Sequence, residues 1–123
     1  MERLKKIGVS SAFLYAKHER NTLGKKRLCF YTNDMGNYLT RENVMPVLIP
    51  DLNEKALYNF IDTMDGFLFQ GGVDLAPETY NEKPINPDKW PGDPIRDLYE
   101  LKVMEYAVKK EKPIMCICRG HQL

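Results

Sequence analysis

One cysteine stands where a strand is expected to turn sharply. The apolar run Pro113–Ile117 ends at Cys118, followed by Arg119 and Gly120. A strand that turns abruptly into a helix forces the residue at the turn into strained dihedrals and lifts its side chain above the sheet. Gly120 supplies the small neighbour needed where chain passes chain. A helix starting there would turn its positive end toward the sulfur, which favours thiolate chemistry. Thiolate attacks acyl carbons well, so the pattern points to acyl transfer. Acyl transfer needs donors for an oxyanion, and a second segment offers one. Gln70-Gly71-Gly72 follows the apolar run Phe67–Phe69, and glycine lets a backbone N–H approach without a side chain in the way. The backbone N–H of Arg119 and one from the Gly71-Gly72 turn are the candidate donors.

The elements that must position these residues alternate in type. Ile7–Ser10 reads as a short first strand. Residues 11–32 show no period and read as a long loop around Lys25-Lys26-Arg27. A helix is expected over Asn33–Glu42, with Asn43 able to take the left-handed conformation that ends one. Val44–Ile49 is an apolar run of buried-strand type, and Pro46 within it suggests a late start or an edge position. Asp51, three residues before Glu54, predicts a helix through about Thr63. Its positions Leu52, Ala56, Leu57, Phe60, Ile61 and Met64 share one face. Residues 73–93, with Pro77, Pro84, Pro87 and Pro91, read as a long surface loop. Asp93-Pro94 opens a further helix to about Lys110, with Leu98, Leu101, Met104, Tyr106 and Val108 as its apolar positions. The alternation predicts an α/β fold, a parallel sheet covered by helices on both faces. Ligands then sit beyond the carboxyl ends of the strands, where both candidate segments lie.

Composition narrows the classes. The 123 residues carry 18 Lys plus Arg against 17 Asp plus Glu, a net charge of +1 with signs interspersed. No nucleic-acid or anionic-membrane partner is expected from that balance. No apolar stretch approaches the ~20 residues of a membrane span, and the first residues lack a signal peptide's apolar core. Three cysteines (Cys29, Cys116 and Cys118) are too few and odd for a disulfide framework. The expectation is a cytoplasmic protein from a reducing compartment.

The motifs also carry a resemblance. Ile117–Gln122 (ICRGHQ) closely resembles the nucleophile motif of class I glutamine amidotransferase-like proteins, most of all the peptidase C26 branch, the gamma-glutamyl-gamma-aminobutyrate hydrolases. Asp65–Tyr80 (DGFLFQGGVDLAPETY) resembles that branch's oxyanion strand and loop. Arg96-Asp97 with Glu100 resembles the start of its pre-nucleophile helix. The resemblance implies a three-layer, flavodoxin-like sheet and a hydrolase that cleaves a gamma-glutamyl amide through a thioester on Cys118. Gly72 and Arg119 would donate to the oxyanion, while Gly71, Gly120 and Gln122 would shape the elbow or position substrate. Neither metal nor organic cofactor is needed for that chemistry. Residues 1–123 are read as the N-terminal part of a single domain that ends just past the elbow. The family's catalytic histidine and its acidic partner would lie downstream of Leu123. This stretch alone is expected to be inactive and to associate with itself or with a complementing C-terminal half. Cys116 replaces the family's usual glycine two residues before the nucleophile, and is expected to be buried.

Plainer readings stand beside these. Cys118 by itself would more often be a small buried hydrophobe. Cys116, Cys118 and His121 suggest zinc only until a fourth ligand is sought. His121 as a base competes with a structural histidine in the first turn after the nucleophile. Asp74 reads as a turn former, and Lys25–Arg27 as a solvated loop or a contact for a substrate carboxylate. Glu100 is spaced i,i+4 from Arg96, a pair worth tenths of a kcal/mol at a surface, with Arg119 as an alternative buried partner. Two other functions remain open: an amidotransferase domain that passes ammonia to a synthase, and a non-catalytic binding or assembly module.

Overall fold

A computed structural model describes residues 3–17, 19–21, 23–40, 43–72, 75–83, 85–86, 88 and 92–123, with His121 described by its backbone alone. Its strands are β1 (Lys5–Ser10), β2 (Ala12–Leu14), β3 (Leu28–Phe30), β4 (Val44–Ile49), β5 (Gly66–Phe69) and β6 (Ile114–Cys116). The helices are α1 (Asn33–Leu39), α2 (Glu54–Asp62) and α3 (Pro94–Lys109), with 3-10 turns at Pro77–Tyr80 and Cys118–Gln122. Four strands form a parallel sheet in the order β4-β1-β5-β6. The α/β architecture follows the alternation of apolar runs, and Pro46 lies on an edge strand, where a missing N–H is tolerated.

Register assigns the two faces. Gly8 pairs with Val47 and Phe67, and Phe67 with Ile114, so these share one face with Ile49, Phe69 and Cys116. The helices α2 and α3 cover it, and Leu57, Ile61, Tyr99, Val103 and Ala107 join Ile49, Phe67 and Phe69 in the core. Gly8 makes room at its centre, since a Cβ there would stand 2.8 Å from Ile49 Cδ1. The opposite face carries Ile7, Val9, Leu68 and Met115. On that side Leu39 of α1 joins Ile7, Val44, Leu68 and Met115 around an open apolar groove of about 250 Å3.

Several expectations change. Residues 11–32 are not a structureless loop: β2 and β3 pair antiparallel, with Phe13 opposite Cys29. Strands of three residues are too short to display a period. Arg27 is not simply solvated. It pairs with Asp51 at 2.8 Å and lies over the Phe13 ring at 4.7 Å. With Asp51 so engaged, the cap of α2 is Asn53, whose side chain accepts from Ala56 N at 3.0 Å. Helix α1 ends at Leu39, short of the expected boundary, and residues 41–42 lie outside the described ones. Asn43 does adopt the left-handed conformation, with φ 43°. The face of α3 differs most. Leu98 and Val108 are exposed, whereas Arg96, Asp97 and Glu100 are buried.

Candidate active site

Helix α3 begins where its sequence says. Asp93 caps it, accepting from Arg96 N at 3.1 Å, and Pro94 takes the first turn, where its missing N–H costs nothing. The stripe Arg96, Glu100, Val103, Ala107 then points at the sheet. Its lower half is apolar and packs in the core. Its upper half is ionic and gathers the loops at the carboxyl ends of the strands.

Four charged groups meet there, two of each sign. Arg96 Nε donates to Glu100 Oε1 at 2.6 Å, and Arg119 Nε donates to the same oxygen at 3.1 Å. Arg119 Nη2 also pairs with Asp97. All four residues are at most 3% exposed. The Arg96–Glu100 pair is therefore no surface pair worth tenths of a kcal/mol. In a buried network, losing one partner strands a charge in low dielectric, at a cost of about 3–5 kcal/mol. Arg119 is indeed the buried partner of Glu100.

The network holds backbone as well as charge. Arg96 Nη2 donates to the carbonyls of Gln70 at 3.0 Å and Gly71 at 2.9 Å. Asp97 Oδ2 accepts from Ala76 N at 2.8 Å and Thr79 Oγ1 at 2.7 Å. Gln122 Oε1 accepts from Leu75 N at 2.9 Å, tying the last turn to the same loop. On the other side, Gln70 Nε2 donates to Ser10 O at 2.6 Å and Phe30 O at 3.1 Å. The Gln70–Gly72 segment is thus clamped between α3 and the first strands.

Cys118 sits at the mouth of this construction. Its thiol is free and exposed, and its backbone takes φ 49°, a conformation that costs a non-glycine residue about 1–3 kcal/mol. The hydrogen bonds from Ile117 N to Phe69 O at 3.0 Å and from Gly120 N to Ile117 O at 2.9 Å hold the turn. Gly120 is required by contact, since a Cβ there would lie 2.7 Å from Phe69 O. Gly71 faces the cysteine, and a Cβ added to it would stand 3.6 Å from Cys118 Cβ. The structure therefore brings together the five glycine, arginine and cysteine positions 71, 72, 118, 119 and 120.

Two site expectations change. Cys118 opens a 3-10 turn over Cys118–Gln122 where the sequence predicts the start of an α-helix. Cys116 is half-buried rather than buried. Burial first, and then the Glu100 carboxylate, push its thiol upward. His18 and Asp74 lie outside the described residues, as does the side chain of His121. Among the described residues, no group of His, Cys, Asp and Glu is placed to hold a metal ion, and no helix is long and apolar enough to cross a membrane.

The ionic residues Arg96, Asp97 and Glu100 were not read as site residues from the sequence. Their signal was present in the i,i+4 spacing of Arg96 and Glu100 and in the matching pair of charges they leave for Arg119.

A parallel α/β sheet whose strand-end glycine loop faces a cysteine in a strained turn defines a class I glutamine amidotransferase-like domain. The sequence model of the family Peptidase C26 matches residues 6–123, and the chain belongs to that family. Among curated proteins, NtpR of Enterococcus hirae is 33% identical over 87 residues, covering 71% of this chain and 36% of that protein. The glutamine amidotransferase-like protein YvdE of Lactococcus lactis is 35% identical over 77 residues, 63% of this chain and 32% of its own length. The gamma-glutamyl-gamma-aminobutyrate hydrolase PuuD of Escherichia coli is 30% identical over 108 residues, 85% of this chain and 38% of PuuD. The chain thus spans about a third of the length of these relatives.

Proposed function

We propose that Cys118 is the nucleophile of a hydrolase that cleaves gamma-glutamyl amides. The observation that carries this reading is the exposed Cys118 thiol in a left-handed turn, directly opposite Gly71. The 30% identity to a protein named a gamma-glutamyl-gamma-aminobutyrate hydrolase supports the substrate class. The thiolate attacks the gamma-carbonyl carbon, and the carbonyl oxygen takes the negative charge. The backbone N–H groups of Gly72 and Arg119 stabilise that oxyanion. The amine departs with a proton and leaves a gamma-glutamyl thioester, which water then opens to glutamate and free thiol. The proton that the amine takes is the one given up by the thiol to a general base. In this reading the buried ionic network keeps Gly72 and Arg119 in fixed relation, so the donors need not reorganise as charge develops.

Turnover of gamma-glutamyl p-nitroanilide by the native full-length protein tests it. Cys118→Ser should lower kcat/KM by about 10³-fold or more, and Gly72→Pro by about 10²-fold through loss of one donor. Limiting iodoacetamide should label Cys118 ahead of Cys116, whose thiol is held upward by burial and Glu100. Activity within a few-fold of wild type in Cys118→Ser would end the proposal. Relatives named glutamine amidotransferase-like favour a second reading, ammonia delivery to a synthase partner. Glutaminase activity that appears only with a partner protein would select it.

A further inference from the structure

A cavity of about 590 Å3 opens beside Gly72, between the β2–β3 hairpin and the first turn of α3. Most of its wall is apolar, from Phe13, Tyr15, Pro94 and Ile95. Two charged side chains of opposite sign also line it. Arg96 is 3% exposed, and its Nε and Nη2 are fully engaged with Glu100 and with two carbonyls. Its Nη1 donates no hydrogen bond to any described residue. That nitrogen lies against Gly72, where an added Cβ would stand only 2.1 Å from it. A side chain at Gly72 would therefore collide with the guanidinium. Asp93 is the opposite case. Its Oδ1 accepts from both the Tyr15 hydroxyl and Arg96 N, while Oδ2 receives no donor from the described residues.

Among the described residues Nη1 is not one of the buried unpartnered polar atoms, so it reaches solvent and can pair with a ligand that supplies an acceptor. The same cavity thus offers a cationic donor and an anionic acceptor at neighbouring positions of one helix N-terminus. An alkyl or aryl group would satisfy neither. A simple carboxylate would satisfy Arg96 and meet Asp93 unfavourably. An α-amino acid head carries a carboxylate and an ammonium on one carbon and complements both. Its position suits the acyl group, because Cys118 stands against Gly71 and Arg96 Nη1 against Gly72, the next residue.

We propose that this cavity is the subsite for the zwitterionic head of the acyl group, with Arg96 Nη1 binding the α-carboxylate and Asp93 the α-ammonium. The assignment rests on the reading of Cys118 as a gamma-glutamyl nucleophile, and it adds the residues that select the glutamyl moiety. Tyr15, bonded to Asp93, holds that carboxylate in place.

The test compares three p-nitroanilides on the native full-length protein: L-gamma-glutamyl, 4-aminobutyryl, which lacks the carboxylate, and glutaryl, which lacks the ammonium. A site built to pair both groups should discriminate against each analogue by about 10²-fold or more in kcat/KM. In Arg96→Gln the preference over the 4-aminobutyryl substrate should shrink to a few-fold. In Asp93→Asn the preference over the glutaryl substrate should shrink likewise. A structural role alone would slow all three substrates equally, and that result would overturn the proposal. Were the variants not to fold, wild-type discrimination decides by itself, and equal use of the three anilides refutes the subsite. A preference that instead follows a carboxylate on the leaving amine, and vanishes in Arg96→Gln, also overturns it. Binding gives an independent arm. L-glutamate should raise the melting temperature of Cys118→Ala, and 4-aminobutyrate should not. If that shift depends on Arg96 yet no anilide is cleaved, the hydrolase reading fails while the subsite stands. If anilides are cleaved without regard to their head group, the subsite fails and the hydrolase reading stands.

Discussion

Helices α2 and α3 lie on the same face of the sheet and bury different chemistry. Helix α2 buries Leu57 and Ile61, spaced four apart, against Ile49, Phe67 and Phe69. Helix α3 buries Val103 and Ala107 in the same way, but its first turns bury Arg96, Asp97 and Glu100. The apolar stripe of α2 needs no partner beyond shape. The ionic stripe of α3 makes sense only with Arg119, 19 residues past Glu100, and with the carbonyls of Gln70 and Gly71. One helix therefore supplies core, whereas the other supplies core at one end and site geometry at the other. Replacing a buried ionic group by a shape-matched apolar one is often neutral for stability, so stability alone does not account for charges at the upper end of α3. Their placement under the glycine loop does.

The sharpest way to break this contrast is to empty one position of each stripe. Glu100→Ala leaves Arg96 and Arg119 buried without their shared carboxylate oxygen. It should cost about 3–5 kcal/mol in denaturant unfolding of the native protein. It should also lower kcat/KM of the folded enzyme, because Arg96 would lose the contact that aims its Nη2 at Gln70 and Gly71. Glu100→Gln, which keeps the shape, should fall between wild type and Glu100→Ala. Unfolding free energy within 1 kcal/mol of wild type for Glu100→Ala would show that the network is not a closed unit.

The matching change in α2 is Leu57→Ala. Leu57 is 1% exposed, and deleting its buried side chain should cost about 3 kcal/mol by lost transfer and cavity formation. The folded fraction should retain the wild-type kcat/KM, measured well below the unfolding midpoint. A comparable loss of kcat/KM in both variants would mean that α2 positions the site as much as α3 does.

The same contrast explains what could be read from the sequence. The face of α2 is legible because hydrophobic periodicity is a local property, and Leu57, Ile61 and Met64 are buried as their spacing predicts. The face of α3 is not, because periodicity assigns Arg96, Asp97 and Glu100 to solvent and Leu98 to the core. Only a neutralising partner far along the chain reverses that assignment. The glycines at 71 and 120 are legible for another reason. Strand ends followed by glycine mark close backbone approach, and Gly120 meets Phe69 O as such a position should. Cys118 follows from the same logic. The β2–β3 hairpin stays hidden because its pairing spans residues 12–30 and its strands have three residues each.

The helix starts provide a smaller test. Asn53 caps α2 through one exposed bond to Ala56 N. Asn53→Ala should cost about 1 kcal/mol and leave turnover of the folded protein unchanged. In α3 the cap, Asp93, also meets Tyr15 and lines the cavity beside Gly72. Asp93→Ala should therefore affect KM as well as stability. Equal behaviour of the two cap variants in a KM measurement would erase the distinction between the helix starts.

The smallest effect concerns the exit of α2, where charge is exposed and not buried. Asp65, just beyond the helix, accepts from Arg3 at 2.9 and 3.1 Å and from Lys6 N at 2.8 Å. The hydrogen bonds from Arg3, then that from Lys6, hold its carboxyl at about 2, below the ordinary 3.8. A carboxylate favoured in the folded state adds stability that is fully present above its unfolded pKa and fades as pH falls through the folded value. The contribution of Asp65 should therefore be intact at pH 5 and lost between about pH 4 and pH 2. Asp65→Asn should be slightly less stable than wild type at pH 5 and converge with it near pH 2. Because the pair is exposed, added salt should shrink the gap at pH 5. The buried pair of Arg119 and Asp97 lies beyond the reach of such screening, so its disruption should respond little to ionic strength. A gap at pH 5 that is unchanged between low and high salt would place the Asp65 pair in the same class as the α3 network, and the contrast between an exposed exit and a buried entry would be lost.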